Sequence, residues 1–499
     1  MSALALARPT AAEIKYRISF AQPANHSFQV TANLPVAKSD VVVAMPAWNA
    51  LYQIRDFAYR VHSLLVLGAN GASRVPTELD KQTWLLCRCA SMKQPPASIT
   101  FQYSIDWNDP GPFDSQLDEH LAFLNLAEVL MYEPDRRSEP VEVQFEDLPP
   151  DWKLIAQLRP GPDPNSFVAP NYDALVDAPV EAGTLNEFDF DQDGAHFRVA
   201  IDGKGYARDR LQDYLQRITG YELELMGGPP FREYTFLLRL GSVSEVGGGG
   251  MEHANSTAIS SQSWEGLKDL CAHEFFHAWN VKRIRPQALE PIDYAKEQYT
   301  RSLWFAEGVT STYASYTLVR TGLWSKAEFY NDLASQITDL QARPARKWQS
   351  VEDSSLDAWL EKYPAYNDPD RSISYYEKGQ ILGVLLDLAM RGATDNHRSL
   401  DDVMRLMNDD YARKSRSYEG DAAIRATVEK VAGKDFGEFF RRYVAGVDEL
   451  PYDDFLSIAG LELKRSRAGG VDVYSIAELP QANERQLRIR EGILQGTTN

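Results

Sequence analysis

The 499-residue chain has the composition of an ordinary globular protein, with 44% hydrophobic and 25% charged residues. This composition excludes a disordered, collagen-like or low-complexity chain, and the length predicts two to four domains. The 52 Lys and Arg residues are outnumbered by 71 Asp and Glu residues, which gives a formal net charge of -19. Because no basic run offsets this charge, we expect neither nucleic acid nor an anionic membrane as a partner.

The cysteines and the N-terminus bear on the cellular compartment. Cys87, Cys89 and Cys271 cannot form a disulfide framework. Since Cys87 and Cys89 lie too close along an extended segment to bridge without strain, we expect free thiols. The N-terminus lacks the basic start and the apolar stretch of a signal peptide, and no later segment predicts a membrane span. The simplest expectation is a cytoplasmic protein, unless a signal has been removed.

The first third of the chain, from Ile14 to about Leu158, predicts an all-β domain. Short alternating or apolar runs are separated there by Pro, Asn and Gly, which is typical of strands and turns. The clearest runs are residues 16–20, 27–33, 40–44 and 99–104. A Pro- and Gly-rich linker is predicted over residues 160–165, and further strand character follows near Phe188. Two later runs, residues 197–201 and 234–240, also predict strands.

After Leu267 the apolar residues recur at three- and four-residue spacing, which predicts helices. The predicted helical segments are residues 267–281, 303–320, 326–340, 378–391 and 400–411. A sheet region followed by a helical lobe is an α+β arrangement. Residues 189–194 begin like a calcium-binding loop, but Ala200 stands where the bidentate Glu is needed, so an Asp-Gly turn between two strands is favoured.

The segment His273-Glu-Phe-Phe-His277 carries the strongest chemical signal. On a helix, positions i and i+4 lie on one face, so both imidazoles can reach one metal ion with Glu274 beside it. Neutral histidine binds zinc at physiological pH, and the intervening carboxylate can accept a proton from an attacking water. The apolar flanks predict a buried helix, in which these polar groups would be costly without a partner. The pattern therefore predicts one zinc ion per chain.

A catalytic zinc usually has three protein ligands, so a third ligand is expected farther along the chain. Glu297 lies in a polar stretch, residues 293–299, that is typical of a solvated surface. Glu307 lies in an apolar stretch, residues 303–309, where a buried carboxylate needs a counter-charge that zinc supplies. We favour Glu307, although the spacing to Glu297 also occurs among zinc proteases.

Several segments taken together match the pattern of one family. They are Met45-Pro-Ala-Trp48, Ile54-Arg-Asp-Phe57, Asn171-Tyr-Asp173, residues 273–286, Trp304-Phe-Ala-Glu-Gly308 and Ser374-Tyr-Tyr-Glu-Lys-Gly379. These segments resemble the glycyl aminopeptidase family of zinc metallopeptidases, within the thermolysin-like gluzincins. The resemblance implies His273, His277 and Glu307 as zinc ligands, Glu274 as general base, and cleavage of N-terminal Gly or Ala from peptides.

The same resemblance, joined to the strand and helix patterns, predicts the domain organisation. We expect an α+β protein in which an all-β N-terminal domain packs on a thermolysin-like catalytic domain with a helical lobe. The predicted boundaries are residues 1–160 for a β-sandwich-like domain, residues 161–463 for the zinc peptidase domain and residues 464–499 for a short C-terminal tail. That tail is too short for the PDZ-like module that the family often carries.

A second motif, Gly247-Gly-Gly-Gly-Met-Glu-His253, precedes the zinc segment. Glycines allow a peptide backbone to approach closely and a carboxylate pairs with an ammonium group, although such a run alone is more often a flexible turn. In related aminopeptidases a Gly-Met-Glu motif on an edge strand pairs with the substrate backbone. The resemblance therefore implies that Gly249 and Gly250 lie along the substrate and that Glu252 binds its free α-amine.

Two further pairs of residues are candidates for the site. The resemblance places at Tyr376 a phenol that donates a hydrogen bond to the tetrahedral oxyanion, with Tyr375 as the competing residue. Arg283 and Arg285 either pair with structural carboxylates, which we favour, or meet the C-terminal side of the substrate.

The sequence thus predicts a zinc aminopeptidase whose substrates are peptides with a free N-terminus. One alternative is a zinc endopeptidase in which Glu252 is only structural. The other is a peptide-binding protein with non-catalytic zinc, against which the intact Glu274 and the open zinc position argue. The sequence does not predict an oligomeric state.

Overall fold

The computed structural model of the protein describes residues 14–36, 39–49, 51–68, 71–360 and 368–496. The strands are β1 Ile14–Gln22, β2 Ser27–Pro35, β3 Val41–Ala44, β4 Val61–Leu67, β5 Ser73–Arg74, β6 Thr77–Asp80, β7 Thr83–Cys87, β8 Ser98–Asp106, β9 Gln116–Leu117, β10 Leu121–Leu124, β11 Val141–Glu146, β12 Lys153–Ala156, β13 Arg159–Pro160, β14 Ser166–Ala169, β15 Val180–Gly183, β16 Asn186–Gln192, β17 Ala195–Asp202, β18 Glu233–Leu240, β19 Gly249–Glu252, β20 Ser256–Ser261, β21 Leu461–Ala468 and β22 Val471–Glu478.

The helices lie mostly in the second half of the chain. They are α1 Leu126–Val129, α2 Tyr172–Val176, α3 Arg208–Met226, α4 Val243–Val246, α5 Leu267–Phe276, α6 Thr310–Arg320, α7 Lys326–Ala342, α8 Val351–Leu356, α9 Tyr375–Ala393, α10 Leu400–Asp410, α11 Asp421–Ala432, α12 Gly437–Phe439, α13 Tyr452–Ile458 and α14 Glu484–Gln495. Trp304–Val309 and Phe440–Val444 are π-helices. Among the described residues, no helix combines the length and the apolar composition needed to cross a membrane.

The described residues divide into two compact units. The first unit contains residues 14–49, 54–186 and 200–202. The second unit contains residues 51–53, 187–199 and 203–496.

An eight-stranded sheet, in the order β13-β14-β11-β1-β2-β8-β4-β5, is the largest element of the first unit. Strands β1, β2 and β8 alternate between buried and more exposed side chains, as expected when one face of a sheet covers a core. The register sets Ile18 opposite Val30, and Val30 opposite Tyr103. The unit also contains the sheets β12-β15-β10-β9 and β3-β7-β6. The prediction of an all-β first part is confirmed.

The segment Ile54-Arg-Asp-Phe57 is an anchor within the first unit. Arg55 donates a hydrogen bond of 3.1 Å to the buried Glu128, whose other oxygen accepts from Ser115 at 2.7 Å. Burial raises the pKa of Glu128 to about 8, although Arg55 opposes this effect. The backbone N–H groups of Arg55 and Asp56 both donate to the carbonyl of Ala47, at 2.7 and 3.0 Å. These bonds close the base of the loop between residues 47 and 55.

The cysteines differ from the expectation of three free thiols. Cys87 and Cys89 form a disulfide with a Cα–Cα distance of 5.1 Å, and Cys271 is free and buried. The expectation assumed an extended backbone at this point. Strand β7 ends at Cys87 and a 3₁₀ turn begins at Cys89, so the chain bends and brings the two side chains together.

A five-stranded sheet, in the order β16-β17-β18-β20-β19, forms the base of the second unit. Strand β18 is parallel to β20 and is buried along nearly its whole length, as expected from its mostly apolar sequence. Strand β19 is antiparallel to β20 and lies at the end of the strand order. The turn at Asp193 and Gly194 has positive φ angles of 49° and 86° between β16 and β17, so the predicted Asp-Gly turn is confirmed.

Helices α5, α6, α7, α9 and α10 overlap the helical segments predicted from apolar spacing. Helix α5 packs against β19 and β20, and α6 packs against α5. Helix α9 packs against the π-helix Trp304–Val309. These contacts bring together the segments that carry the candidate site residues, and the mixed architecture confirms the predicted α+β class.

Candidate active site

Helix α5 carries the first histidine and is fixed to the sheet by aromatic packing. The ring of Phe275 lies edge-on to that of Tyr234 on β18, with centroids 5.0 Å apart. The adjacent residue, Phe276, stacks on Tyr313 of α6 at 4.4 Å. With apolar residues holding both sides of the helix, His273 and His277 are left on the face that carries polar groups.

The second ring nitrogen of each histidine fixes its tautomer. His277 Nδ1 lies 2.5 Å from the carbonyl oxygen of Asn280, which can only accept, so Nδ1 carries the proton. Ser311 donates to the Glu307 carbonyl at 3.1 Å and can therefore accept from His273 Nδ1 at 3.3 Å. In its neutral form, each ring therefore directs its Nε2 lone pair towards a metal ion, as is usual for metal-binding histidines.

Glu307 lies on the π-helix Trp304–Val309 and is buried. One of its carboxylate oxygens lies 3.1 Å from His277 Nε2 and 3.6 Å from His273 Nε2. Asn280 ties this segment to the end of α5, since its side-chain amide donates to the Phe305 carbonyl at 2.8 Å. Single π-turns are rare in proteins overall, but those that occur are often found at functional sites. A π-turn rotates a side chain relative to the rest of the helix. The competing residue, Glu297, is exposed.

The three donor atoms fit a tetrahedral metal site. The two Nε2 atoms are 3.0 Å apart, so the triangle of donors has edges of 3.0, 3.1 and 3.6 Å. A tetrahedral zinc ion with bonds of about 2.1 Å requires edges of about 3.4 Å. Two imidazoles and one carboxylate are also the donor set that zinc prefers in catalytic sites. His273, His277 and Glu307 could thus hold one metal ion together.

The electrostatics of these groups match a site built for a cation. Burial lowers the pKa of His277, but Glu307, Glu252 and Glu274 outweigh it and raise the value to about 10. Burial also works against ionisation of Glu307, yet the two histidines hold its pKa well below the ordinary range. In the absence of a metal, a protonated His277 can therefore supply the positive charge that Glu307 requires.

Glu274 lies beside the three donors, on the side where β19 runs. Burial, and the charges of Glu252 and Glu307, raise its pKa well above the ordinary value even though His277 opposes them. Its Oε2 atom is buried without a hydrogen-bond partner among the residues that the structure describes. An unsatisfied buried carboxylate oxygen in a native protein calls for an explanation, and a proton-transfer site provides one.

The position of β19 explains why this segment contains glycines. A Cβ atom at Gly250 would lie 2.4 Å from an oxygen of Glu274, so a larger residue there would displace the Glu274 side chain. Gly249 has a φ of 108°, which also favours glycine. Glu252 ends the strand, and a carboxylate oxygen of it lies within 4.8 Å of ligand atoms of Glu274 and His277. Gly250 is thus placed next to Glu274, and Glu252 next to Glu274 and His277.

Two glycines let α9 approach the π-helix. A Cβ at Gly308 would lie 2.4 Å from the Cα of Gly379, and one at Gly379 would lie 2.5 Å from the Trp304 carbonyl. This close contact brings the Tyr376 ring to 6.2 Å from that of His273. The Tyr375 ring lies 4.8 Å from that of Tyr376.

Arg283 has a structural role. It donates to the carbonyls of Ala254 and Ala278, at 2.8 and 2.6 Å, and to the side chain of Asn255 at 2.9 Å. It therefore ties the loop after β19 to the end of the metal-binding segment. Arg285 pairs with Glu290 at 2.5 Å. Arg285 makes the structural carboxylate pair that was favoured from the sequence, whereas the contacts described for Arg283 are with carbonyl and amide oxygens.

The sequence did not indicate the roles of Asn280 and Ser311. Both orient a histidine through the nitrogen that faces away from the donor triangle. Asn280 lies three residues after His277, where a carbonyl at the end of a helix can turn back to the ring. Ser311 lies four residues after Glu307, a spacing that places both on one helical face.

Two family models match the chain. One, described as M61 glycyl aminopeptidase, matches residues 266–382, and the other, described as the peptidase M61 N-terminal domain, matches residues 15–184. No curated protein matches the chain.

Several solved structures are similar to the chain. An aminopeptidase N family protein from Idiomarina loihiensis has a TM-score of 0.85 and 27% identity, over 91% of this chain and 79% of its own. An M1 zinc metallopeptidase from Deinococcus radiodurans has a TM-score of 0.51 and 15% identity, over 88% of this chain and 94% of its own. The second likeness is one of fold.

Proposed function

Since the chain belongs to the M61 glycyl aminopeptidase family and is thus a metallo-aminopeptidase, we propose that it uses zinc to remove N-terminal glycine or alanine from peptides. The observation that carries the proposal is a donor triangle of His273, His277 and Glu307 with two further carboxylates beside it. One carboxylate, Glu274, is suited to move protons. The other, Glu252, is suited to bind a substrate ammonium group.

In this proposal His273, His277 and Glu307 hold the zinc ion. When bound, zinc polarises the scissile carbonyl and makes a water molecule more acidic. Glu274 accepts the proton of the attacking water at its unpaired oxygen and later delivers it to the leaving amine. The raised pKa of Glu274 suits this exchange, because a stronger base accepts the proton more readily.

Two other residues orient the substrate and its transition state. Burial, Glu307 and Tyr375 raise the pKa of Tyr376 well above its usual value, so its hydroxyl keeps its proton and can donate to the oxyanion. Glu252 pairs with the α-ammonium group, while the free edge of β19 bonds to the substrate backbone. An amine held at Glu252 places the first peptide bond, rather than an internal one, over the metal.

The decisive experiment compares free and acetylated peptides. Gly- and Ala-initiated peptides should lose one residue at a time, and acetylation of their N-termini should abolish cleavage. Glu252→Ala should lower kcat/KM on free-amine substrates by about a hundredfold, because loss of one partner of a desolvated charge pair costs about 2–5 kcal/mol. Glu265→Ala removes an exposed carboxylate between β20 and α5 and serves as the control.

Efficient internal cleavage of acetylated peptides by the wild type would show an endopeptidase instead. Equal losses for Glu252→Ala on free and blocked substrates would show that this residue does not bind the amine. A zinc-loaded protein with no turnover of any peptide would contradict the proposal as a whole.

A further inference from the structure

Arg283 joins two segments of the second unit through its guanidinium group. One Nη atom donates to the Ala278 carbonyl at 2.6 Å and to the Ala254 carbonyl at 2.8 Å. The other Nη atom donates to Asn255 Oδ1 at 2.9 Å. These acceptors lie on the segment directly after α5 and on the turn between β19 and β20.

Each of the two segments carries one group of the proposed site. Ala278 directly follows the metal-ligand candidate His277, and Ala254 lies two residues after Glu252. A carboxylate oxygen of Glu252 lies within 4.8 Å of a ligand atom of His277. Arg283 therefore connects, through backbone carbonyls, the two segments whose side chains meet at the site.

The Arg283 side chain starts from a fixed backbone. The N–H of Arg283 donates to the Trp279 carbonyl at 3.1 Å, and the N–H of Ile284 donates to the same carbonyl at 2.7 Å. The chain thus folds back onto the end of α5 at this point. A guanidinium group presents its donors in a rigid plane, so it holds its acceptors at set distances, which the flexible ammonium group of lysine does not.

The turn between β19 and β20 passes this constraint on to Glu252. The N–H of His253 donates to the Ser256 carbonyl at 3.0 Å and closes the turn, and Glu252 pairs with Thr257 on β20. Strand β19 lies at the end of the sheet order, so the ladder holds it from one side. Arg283 holds the Glu252 end of the strand against the metal-binding segment.

The distance between a bound amine and the metal determines which peptide bond is cleaved. Within one α-amino acid the amine nitrogen and the carbonyl carbon are about 2.5 Å apart, and each further residue adds about 3.5 Å. A carboxylate at a fixed distance from the metal therefore accepts one residue between them. Since a displacement of about 1 Å can cost about a hundredfold in rate, this distance must be held closely.

We infer that Arg283 is a positioning residue that fixes the distance between Glu252 and the metal ligands, and so restricts cleavage to the first peptide bond. The inference rests on the proposed aminopeptidase function. Arg283 acts through the carbonyls of Ala254 and Ala278 and through Asn255, rather than by touching the substrate.

β-Alanine provides a direct probe of this distance. Its extra methylene group lengthens the path from amine to carbonyl by up to about 1.3 Å and adds no side chain. The test therefore measures the ratio of kcat/KM for a Gly-initiated peptide to that for the matching β-alanyl peptide. Both values scale equally with the fraction of active enzyme, so a variant that is merely less stable keeps the wild-type ratio.

The variants separate the geometry of the contact from its charge. Arg283→Met removes the donors, whereas Arg283→Lys keeps the charge and removes the planar group. Asn255→Ala removes one acceptor of Arg283, and Asn255→Asp retains it. Arg413→Lys is the matched control, since Arg413 is an exposed arginine that donates to the Gly227 carbonyl at 3.1 Å.

We expect the Gly-to-β-alanyl ratio to fall by about tenfold or more in Arg283→Met and Arg283→Lys, because the amine site is no longer held at one distance. Asn255→Ala should lower the ratio by a smaller factor, and Asn255→Asp should restore it. Arg413→Lys should keep the wild-type ratio. Zinc affinity, measured by competition with a chromophoric chelator, should stay unchanged in all of these variants.

An unchanged ratio in both Arg283 variants, with Gly peptides still cleaved, would overturn the inference while leaving the aminopeptidase intact. A loss of zinc affinity in these variants would also overturn it, since Arg283 would then act on the metal ligands. If the Arg283 variants do not fold or lose all turnover, Asn255→Ala decides, and an unchanged ratio there overturns the inference.

Two results for the wild type are equally decisive. Equal cleavage of the Gly and β-alanyl peptides would show that the distance is not fixed, and the inference would be wrong. Absence of aminopeptidase activity would instead refute the proposed function on which the inference depends.

Discussion

Glu274 combines two properties that rarely occur together in a side chain. It is buried, and one of its oxygens has no hydrogen-bond partner among the described residues. It does not belong to the donor triangle of His273, His277 and Glu307, although one of its oxygens lies within 4.8 Å of a ligand atom of His277. Its removal should therefore affect proton transfer far more than metal binding.

Glu274→Gln should keep full zinc content and lose about a hundredfold or more of its turnover, which is the usual contribution of a general base. The amide keeps the shape of the side chain but cannot accept the proton. Zinc is measured by atomic absorption and turnover on a Gly-initiated peptide. Near wild-type activity in this variant would show that another group takes the proton.

The two candidate third ligands allow a paired test. Glu307→Ala removes a buried oxygen from the donor triangle and should weaken zinc affinity by more than the tenfold to hundredfold that loss of an outer-shell partner typically costs. Glu297→Ala removes an exposed carboxylate and should leave zinc affinity unchanged. Competition with a chromophoric chelator measures both affinities, and the reverse pattern would make Glu297 the ligand.

Residues near one another in sequence were the easiest to assign from sequence. His273, Glu274 and His277 follow from helical spacing alone, and Glu307 follows from a carboxylate in an apolar stretch. Asn280 required knowledge of how the chain turns after α5.

At the level of elements, glycines determine how close the segments come. Gly308 and Gly379 let α9 and the π-helix touch through their backbones, and Gly250 lets β19 pass directly beside Glu274. The apolar spacing predicted helical structure over residues 303–320 but not its division into a π-helix and α6. The difference between the two helix types shifts a side chain by a fraction of a turn, which a periodic pattern does not resolve.

Helix α3 was not predicted, although Leu211, Leu215 and Ile218 follow helical spacing and are buried. Its many charged residues and its position between predicted strands hid the signal. The disulfide between Cys87 and Cys89 was missed for a related reason. The sequence pattern predicted an extended segment there and did not predict that β7 ends at Cys87 and is followed by a 3₁₀ turn. Local pattern predicts the type of an element better than it predicts where the element bends.

The glycine run offers a matched pair of substitutions. Gly250→Ala should lower kcat/KM at least tenfold, because its Cβ would lie 2.4 Å from Glu274 and would displace the base. A Cβ at Gly248 has no heavy atom within 4 Å, so Gly248→Ala should stay within about twofold of the wild type. Steady-state kinetics on Gly-initiated peptides decide the point. Equal effects of the two substitutions would mean that loop flexibility, rather than contact with Glu274, explains the glycines.

At the scale of the whole molecule, the three residues of the donor triangle belong to one unit only. Residues 273, 277 and 307 all lie in the second unit, and the first unit has its own buried core on β1, β2 and β8. A ligand that binds only the native state stabilises it by about 4 kcal/mol at a thousandfold excess over Kd. Removal of zinc should therefore destabilise the second unit and leave the first unchanged.

The loss of stability that follows removal of zinc should depend on pH. In protein freed of metal, the pKa of His277 is raised from its ordinary 6.5 to about 10 by its carboxylate neighbours. Protonated His277 therefore contributes stability that is fully present below pH 6.5 and is lost as the pH rises through 10. Histidine bound to zinc is neutral and contributes no such dependence. The stability that zinc adds should consequently be small at pH 6 and increase steadily towards pH 9.

Hydrogen exchange with mass spectrometry can measure this change separately for each unit. After chelation, peptides from α5 and α6 should exchange faster, by a factor that is larger at pH 9 than at pH 6 once intrinsic exchange rates are corrected. Peptides from β1, β2 and β8 should be unaffected, and Glu307→Ala should respond little to chelation. An equal response at both pH values would show that His277 does not replace the charge of the metal. A response in the first unit would show that the two units do not unfold independently.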